Sequence, residues 1–422
     1  AIVVRAADGT LRQELRTFWR SHLGPIVDRT DTRLFAVKST RLDAFRYFEG
    51  FYHLSRARSL REWMAALQQN LVPTSNFTYA DADGNIVYVW NGRVPVRAPG
   101  RDYRRDVEAR STSDIWTTFH PLDELPQLLN PPGGYIQNAN NPPRFTSLRD
   151  PIDMSRFPEY FERGPLALRP QLALDMLERQ DRFSIEDVIR RKFDTRMLLA
   201  ERIKRDVVDA VTAAPDASEA ARAGAEALAA WDGRVSADSA GAALFVRFWD
   251  SYAAAIPQPF ARPWNESDPV RTPAGLANPA EAVRRLGDAV DDMRAVFGTE
   301  RAAWGEVNRF RIGAVDLPGE GAPGAYGCFR VMRFDDVPGA TLRAAGNLGD
   351  GRRLTGFGDA WVLLVDFSGP VNALSILAYG QTTDLRSLHS RDQLRLFAAR
   401  LLRPARYAEA DVLAHVVRSY RP

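Results

Sequence analysis

The chain has 422 residues, of which 45% are hydrophobic and 26% are charged, a globular composition that excludes a disordered chain or a coiled-coil rod as its main content. Its 56 basic and 53 acidic residues give a net charge of +3, which is too balanced to indicate nucleic-acid binding. The single cysteine, Cys328, excludes a disulfide framework and a cysteine-ligated zinc or iron–sulfur site. No apolar run approaches the roughly eighteen residues of a membrane span.

The first residue is Ala1 and not an initiator methionine, and residues 1–5, AIVVR, are typical of the interior of a strand. They do not have the pattern of a signal peptide. We therefore expect the chain to be a processed product or a fragment.

Helical spacing and turn residues predict a helix and a β-hairpin in the first third of the chain. The capping-box sequence that starts at Ser59 precedes apolar residues at helical spacing, which predicts a helix over 59–70. Strand-like runs at 76–80 and 86–90 flank the turn-forming sequence DADGN and predict a hairpin. A further strand is predicted at 134–138.

The middle of the chain is predicted to be helical. Capping residues and apolar spacing indicate a helix from Ser184 to about 211, another from Asp216 to Trp231, and a third after Pro279. The sequence between 257 and 279 is rich in Pro, Asn and Ser, which predicts a long surface loop.

Strands return in the last third. The apolar run at 361–367 predicts a strand that is covered on both faces, 373–378 predicts another, and a final helix is expected around 393–401. The residues at 326–331 also resemble a strand.

The order of strands, helices and strands predicts an α+β fold, a layered αββα sandwich with a helical insertion. We expect three segments: 1–145 belongs to the core, 146–300 is mainly helical, and 301–422 returns to the core sheets and a C-terminal helix.

General motif searches point to no chemistry. Residues 319–324, GEGAPG, fit G-x-G-x-x-G, but a nucleotide site requires a helix to begin inside the motif. Pro323 lies within it and strand-like residues follow it, so a glycine-rich loop is favoured. The five histidines lack metal-ligand spacing, which favours packed or surface roles: His22, His53, His120, His389 and His415.

Three passages occur in a defined order along nearly the whole chain. The first is NFTYADADGNI at 76–86 with GRVPVR at 92–97, the second is GYIQNANNPP at 134–143, and the third is AYGQ at 378–381 with SLHSRDQL at 387–394. Together they resemble the penicillin acylase family of N-terminal nucleophile hydrolases. WGEVN at 304–308 and GDAW at 358–361 are most similar to the branch that removes fatty acyl chains, the acyl-homoserine-lactone and aculeacin-type lipopeptide acylases.

This resemblance implies an amidohydrolase that is cut from a precursor and uses the hydroxyl of an N-terminal serine as its nucleophile. The α-amine of that serine is the base, and an acyl-enzyme forms. One backbone N–H and one asparagine side chain form the oxyanion hole. Ala1 has no hydroxyl, so the resemblance implies that this chain is a β-subunit fragment without its nucleophile. The implied partners are a small α-subunit, the missing N-terminal part of the β-subunit and an N-acyl substrate.

The resemblance also assigns site residues. Asn140 matches the catalytic asparagine and is expected to donate its amide N–H₂ to the oxyanion. Arg169 matches an arginine that organises the site, with Arg163 as a competing match. Ala139 stands where penicillin-G-type members have tryptophan, which implies a longer or larger substrate. His389 and Asp392 match a motif that we interpret as packing.

Two alternatives stay open at this stage. The first is a β-lactam acylase with the same machinery and a different pocket. The second is an inactive fragment or a binding module that kept the scaffold. No cofactor is expected, although the sequence leaves calcium open, and the resemblance predicts a bacterial periplasmic or secreted protein.

Overall fold

The computed structural model describes residues 1–336, 352–419 and 421, and these divide by their contacts into two units. The first unit consists of Ala1–Ile136 and Pro143–Arg163, and the second of Gln137–Pro142 and Gly164–Pro422. The division of the chain into segments at 145 and 300 stays a prediction. Among the described helices, none is long and apolar enough to cross a membrane.

The first unit combines short antiparallel sheets with two helices. Its elements are β1 (Ile2–Arg5), β2 (Leu11–Glu14), β3 (Arg20–Ser21), β4 (Gly24–Arg29), β5 (Leu34–Ala36), α1 (Tyr47–Arg56), α2 (Leu60–Gln68), β6 (Thr74–Ala80), β7 (Ile86–Gly92) and β8 (Gln127–Leu129). The predicted helix is confirmed as α2, because the Ser59 hydroxyl accepts a hydrogen bond from the Glu62 amide at its start. The predicted hairpin is confirmed as the antiparallel pair β6–β7.

The strand predicted at 134–138 is wrong, because these residues form irregular backbone. Gly134 adopts a φ of +80°, which interrupts extended structure at its start. The asparagines that follow use their side chains for hydrogen bonds to nearby backbone groups, an alternative that competes with pairing to a strand.

Helices make up most of the second unit between residues 168 and 307. They are α3 (Leu168–Glu178), α4 (Ile185–Lys192), α5 (Leu198–Ala213), α6 (Glu219–Ala230), α7 (Ala242–Ala255), α8 (Pro279–Phe297) and α9 (Trp304–Val307). The helix predicted after Pro279 is confirmed as α8. The helix predicted from 184 to 211 is two helices, because the intervening backbone bonds to other parts of the chain: the Met197 amide donates to the Gly233 carbonyl. The predicted cap at Asp216 is also wrong, since Ser218 caps α6.

Helices α5 to α8 pack into one apolar core. Phe248 and Leu286 are fully buried in it. Gly224 on α6 lies against Leu286 of α8, and a Cβ atom at Gly224 would come within 2.8 Å of the Leu286 side chain. Glycine therefore allows the close approach of these two helices.

Two sheets follow the helices. The first has the strand order β12-β11-β14-β13, and the second has the order β15-β16-β17. Their strands are β11 (Asn308–Ile312), β12 (Val315–Pro318), β13 (Met332–Asp336), β14 (Arg353–Gly358), β15 (Trp361–Asp366), β16 (Asn372–Leu377) and β17 (Arg403–Pro404). The unit also contains α10 (Leu394–Ala398) and α11 (Glu409–Ala414), and α10 is shorter than the predicted helix over 393–401.

Three further expectations need correction. The region at 257–279 is not loop alone, because it contains the paired strands β9 (Phe260–Arg262) and β10 (Ala274–Leu276). The strand expected at 326–331 lies later, as β13. The strand β15 forms as predicted, but the described residues cover only one of its faces: Val362 is buried, whereas Trp361 is 60% exposed.

Candidate active site

The polar run at 137–142 forms a tight loop around Asn140. Asn140 has a φ of +61°, in the left-handed region that asparagine tolerates better than most residues. Its backbone amide donates to Oδ1 of Asn138 over 2.9 Å, which closes a turn through a side chain. The loop therefore holds Asn140 in an unusual backbone conformation, with its side chain exposed.

The neighbouring asparagines hold the loop together. Asn141 is only 2% exposed, its Oδ1 accepts from the Ala139 amide over 2.9 Å, and its Nδ2 donates to the Pro142 carbonyl over 3.0 Å. The Nδ2 of Asn138 donates to the Asn141 carbonyl over 3.0 Å. Both side chains are therefore engaged in structural hydrogen bonds.

Arg169, in the first turn of α3, contacts this loop as predicted. Its Nη2 donates to the Ala139 carbonyl and to Oδ1 of Asn140, each over 2.7 Å. Because a guanidinium group has only donors, the amide oxygen of Asn140 must face Arg169 and the amide N–H₂ must face away. Within the part of the chain that the structure describes, the Nδ2 of Asn140 has no hydrogen-bond partner. It is therefore an oriented donor that is available to an incoming group.

Arg169 lies in a partly buried, charged environment. Burial lowers the pKa of the Arg169 guanidinium from its usual value, and the negative charge of Asp359 opposes this effect. Asp359 forms an ion pair with Lys192, whose Nζ lies 2.6 Å from its Oδ2. An arginine remains protonated at neutral pH in such surroundings, so Arg169 is a charged donor to the loop.

Arg163, the competing match, binds backbone of its own unit. Its Nη2 donates to the carbonyl oxygens of Met154 and Phe157, over 2.7 Å and 2.8 Å. These bonds hold backbone within the first unit, and the geometry therefore favours Arg169 as the arginine of the site.

Ala139 lies in the same loop, but it is only 8% exposed. Its amide and its carbonyl are bound by Asn141 and Arg169, respectively. Its contact with a substrate stays a prediction.

The motif around His389 lies at the surface. His389 is 77% exposed on its side chain, and its Nδ1 lies 2.8 Å from Oδ2 of Asp392. The buried residues of this motif are Ser390, Gln393 and Leu394. The Gln393 side chain accepts a hydrogen bond from the Leu377 amide. The motif therefore packs through the residues next to His389 and Asp392, and this pair itself lies at the surface.

Acidic, histidine and cysteine side chains do not gather in threes that could hold a metal ion in the described ranges. Sequence reasoning missed the structural roles of Asn138 and Asn141, although their spacing around Asn140 is a recognisable signal for side-chain turns. It also missed Gly324, which contacts Arg169 and has no local signal because the two are far apart in sequence.

Comparison with known proteins identifies the class. The family model described as Penicillin amidase matches residues 1–414, and the chain belongs to this family. The thermostable penicillin G acylase of Alcaligenes faecalis superposes on the whole chain and on 80% of its own length, with a TM-score of 0.62 at 17% identity. This likeness confirms the predicted αββα fold class.

Two curated relatives show which acylases the chain is similar to. The acyl-homoserine lactone acylase PvdQ of Pseudomonas putida is 26% identical over 98% of this chain and 55% of its own length. The aculeacin-A acylase of Actinoplanes utahensis is 27% identical over 94% of this chain and 54% of its own length. The chain therefore spans about half the length of the curated relatives that it matches.

Proposed function

We propose that this chain is part of an amidohydrolase that cleaves N-acyl substrates through an acyl-enzyme on an N-terminal serine outside the chain. The observation that carries the proposal is the amide group of Asn140. Arg169 fixes its oxygen and leaves its N–H₂ oriented outwards and without a partner in the described chain. A neutral, oriented N–H donor is what an oxyanion hole requires.

The proposed reaction has two steps. The serine hydroxyl attacks the amide carbonyl, its proton passes to the serine α-amine, and the carbonyl oxygen becomes an oxyanion that Asn140 stabilises. The C–N bond then breaks, and the amine leaves with that proton. Water attacks the resulting ester by the same route and releases the carboxylic acid. Arg169 does not touch the reacting atoms and acts by orienting Asn140.

We propose an acyl-homoserine lactone or a lipopeptide as the substrate class. This proposal is supported by the two curated relatives, an acyl-homoserine lactone acylase and an aculeacin-A acylase, which match nearly the whole chain. A β-lactam substrate is the alternative, and the acyl-chain experiment in the Discussion separates the two.

Further polypeptide is proposed to complete the enzyme, namely a small α-subunit and the N-terminal part of the β-subunit. Large apolar side chains of the first unit support this proposal, because Phe18, Phe45 and Phe48 are each more than 80% exposed. Large apolar side chains that are exposed to this extent are expected where further polypeptide covers the surface. Self-cleavage of the precursor and export to the periplasm or medium belong to the same proposal.

The isolated 422-residue chain is expected to show no amidase activity, because the proposed nucleophile lies outside it. The test compares this chain with the complete protein, expressed from its precursor, on p-nitrophenyl acyl amides. N-terminal sequencing of the processed protein should find Ser, Thr or Cys at the first residue of the larger subunit. Turnover by the isolated chain above background would contradict the proposed nucleophile, and an inactive processed protein would contradict the proposed function.

A further inference from the structure

The glycine-rich loop at 319–324 does not begin a long helix, and each of its glycines lies against a neighbour. A Cβ atom at Gly319 would lie 2.7 Å from the Asn308 carbonyl oxygen. Gly321 has a φ of +84°, and a Cβ atom there would lie 2.5 Å from the Arg330 carbonyl oxygen. These two glycines allow the loop to sit directly on the sheet that contains β11 and β13.

An ion-pair network with one fully buried member anchors the same loop. Glu320 accepts from Nη1 of Arg330 over 2.7 Å and from Nη2 of Arg400 over 2.8 Å. Arg330 is fully buried, and its Nη2 also donates to the Phe397 carbonyl over 3.1 Å. Burial lowers the pKa of Arg330 to about 10, which leaves it charged at neutral pH. Removing one partner of such a network leaves a buried charge unpaired, so the loop is firmly fixed.

The third glycine of the loop, Gly324, lies against the side chain of Arg169. A Cβ atom at Gly324 would be 3.0 Å from both Cδ and Nε of Arg169, which is tighter than ordinary van der Waals contact. The φ of Gly324 lies outside the left-handed region, so its backbone would accept alanine without strain. Position 324 therefore needs a residue without a side chain, because the Arg169 side chain occupies the space that a Cβ atom would take.

We propose that Gly324 is a positioning residue for the active site: the fixed glycine loop seats the Arg169 guanidinium, which in turn orients the amide of Asn140. The inference rests on the proposed function and deepens it by adding a residue to the same site. Gly324 acts through Arg169 and touches no reacting atom. The glycines of this motif serve packing and positioning.

The test is Gly324→Ala in the complete processed enzyme. Displacing Arg169 by a few tenths of an ångström should misalign the Asn140 donor, so kcat should fall about tenfold while KM changes little. The matched control is Ala325→Ser, in the same single-turn helix with an exposed side chain, which should leave kcat unchanged. An unchanged kcat in Gly324→Ala would overturn the proposal.

A double-mutant cycle separates positioning from a general disturbance of the loop. Once Arg169→Ala has removed the contact, adding Gly324→Ala should have no further effect on kcat. Independent, additive losses would overturn the proposal. If Gly324→Ala alone does not fold, the double variant should fold as well as Arg169→Ala does. Failure of the double variant as well would show that glycine is required for another reason.

A crystal structure of the Gly324→Ala variant of this chain tests the contact without any activity. The distance from Nη2 of Arg169 to Oδ1 of Asn140, now 2.7 Å, should lengthen by the same few tenths of an ångström. An unchanged distance would overturn the positioning role whatever the enzyme does. If the wild-type complete protein shows no amidase activity, the proposed function fails, while this measurement still decides whether Gly324 positions Arg169.

Discussion

The helical core of the second unit and the loop at 137–142 are built on different principles. The core consists of apolar side chains such as Phe248 and Leu286, which are fully buried between α6, α7 and α8. The loop consists of asparagines joined by individual hydrogen bonds, with Asn140 in a left-handed conformation. The core thus depends on buried volume, which many side chains share, whereas the loop depends on single donors and acceptors.

This difference predicts that substitutions in the two regions have separable effects. Removing a core side chain should lower the free energy of unfolding without altering the reaction of the molecules that remain folded. Removing the exposed amide of Asn140 should alter the reaction with little change in stability. Substitution of residues that hold the loop should change both the free energy of unfolding and the rate of the reaction.

The largest effect on stability is expected for Phe248→Ala. Truncating a fully buried phenylalanine removes its transfer free energy and leaves a cavity, so the free energy of unfolding should fall by about 3–5 kcal/mol. Urea denaturation of the isolated chain measures this loss. The matched control is Phe357→Ala on β14, which is 64% exposed and should cost less than about 1 kcal/mol. Equal losses would mean that the two positions do not differ in burial.

The largest effect on catalysis is expected for Asn140→Ala. Loss of one oxyanion-hole donor typically costs about 2.7–4 kcal/mol in the transition state, so kcat of the complete enzyme should fall by about 10² to 10³. KM should change little. The melting temperature should fall only slightly, because the Asn140 side chain is exposed although alanine tolerates its φ of +61° less well. Processing must first be checked on a gel, since self-cleavage can use the same donor. A fully processed variant with near-normal kcat would remove the oxyanion role from Asn140.

Asn141→Ala should show the mixed behaviour of a residue that holds the loop. Its side chain is buried and binds the Ala139 amide and the Pro142 carbonyl, so its loss leaves two backbone groups without these bonds. We expect a loss of about 1–3 kcal/mol in the free energy of unfolding, together with a decrease in kcat smaller than that of Asn140→Ala. A stable Asn141→Ala enzyme with the same kinetic defect as Asn140→Ala would mean that the polar loop as a whole, and not the single donor of Asn140, supports catalysis.

The sequence predicts those elements whose local signals agree with their final environment. The hairpin β6–β7, the capped helix α2 and the helix α8 were all correctly predicted from turn residues, caps and apolar spacing. Helix α7 was not predicted, because its sequence AALFVRFWDSYAAA is apolar on most sides and lacks a clear helical period. The break between α4 and α5 depends on a bond from Met197 to Gly233, which no local pattern contains.

The candidate site was predicted from the resemblance and not from spacing. Asn140 and Arg169 are separated by 29 residues, and nothing in either local sequence indicates that they meet. Gly324 is still more distant from Arg169 in sequence and was assigned only to a loop. Contacts of this kind arise from the packing of the whole unit, so a single sequence does not contain a local signal for them.

The smallest expected effect is the change in kcat/KM for each CH₂ group added to the acyl chain of the substrate. The family resemblance predicts that Ala139 stands where penicillin-G-type members have tryptophan, and the relatives named above are acylases of acyl-homoserine lactones and of aculeacin A. If the acyl pocket accepts an extended aliphatic chain, each buried CH₂ contributes about 0.8 kcal/mol, so kcat/KM should rise about fourfold per added CH₂ until the pocket is full. A homologous series of N-acyl substrates, with penicillin G for comparison, measures this slope on the complete enzyme.

The control is the same series on Asn140→Ala. The rates of this variant should be lower throughout but the slope unchanged, because the donor acts on the oxyanion and not on the acyl chain. A flat series, or best turnover of penicillin G, would favour the β-lactam alternative.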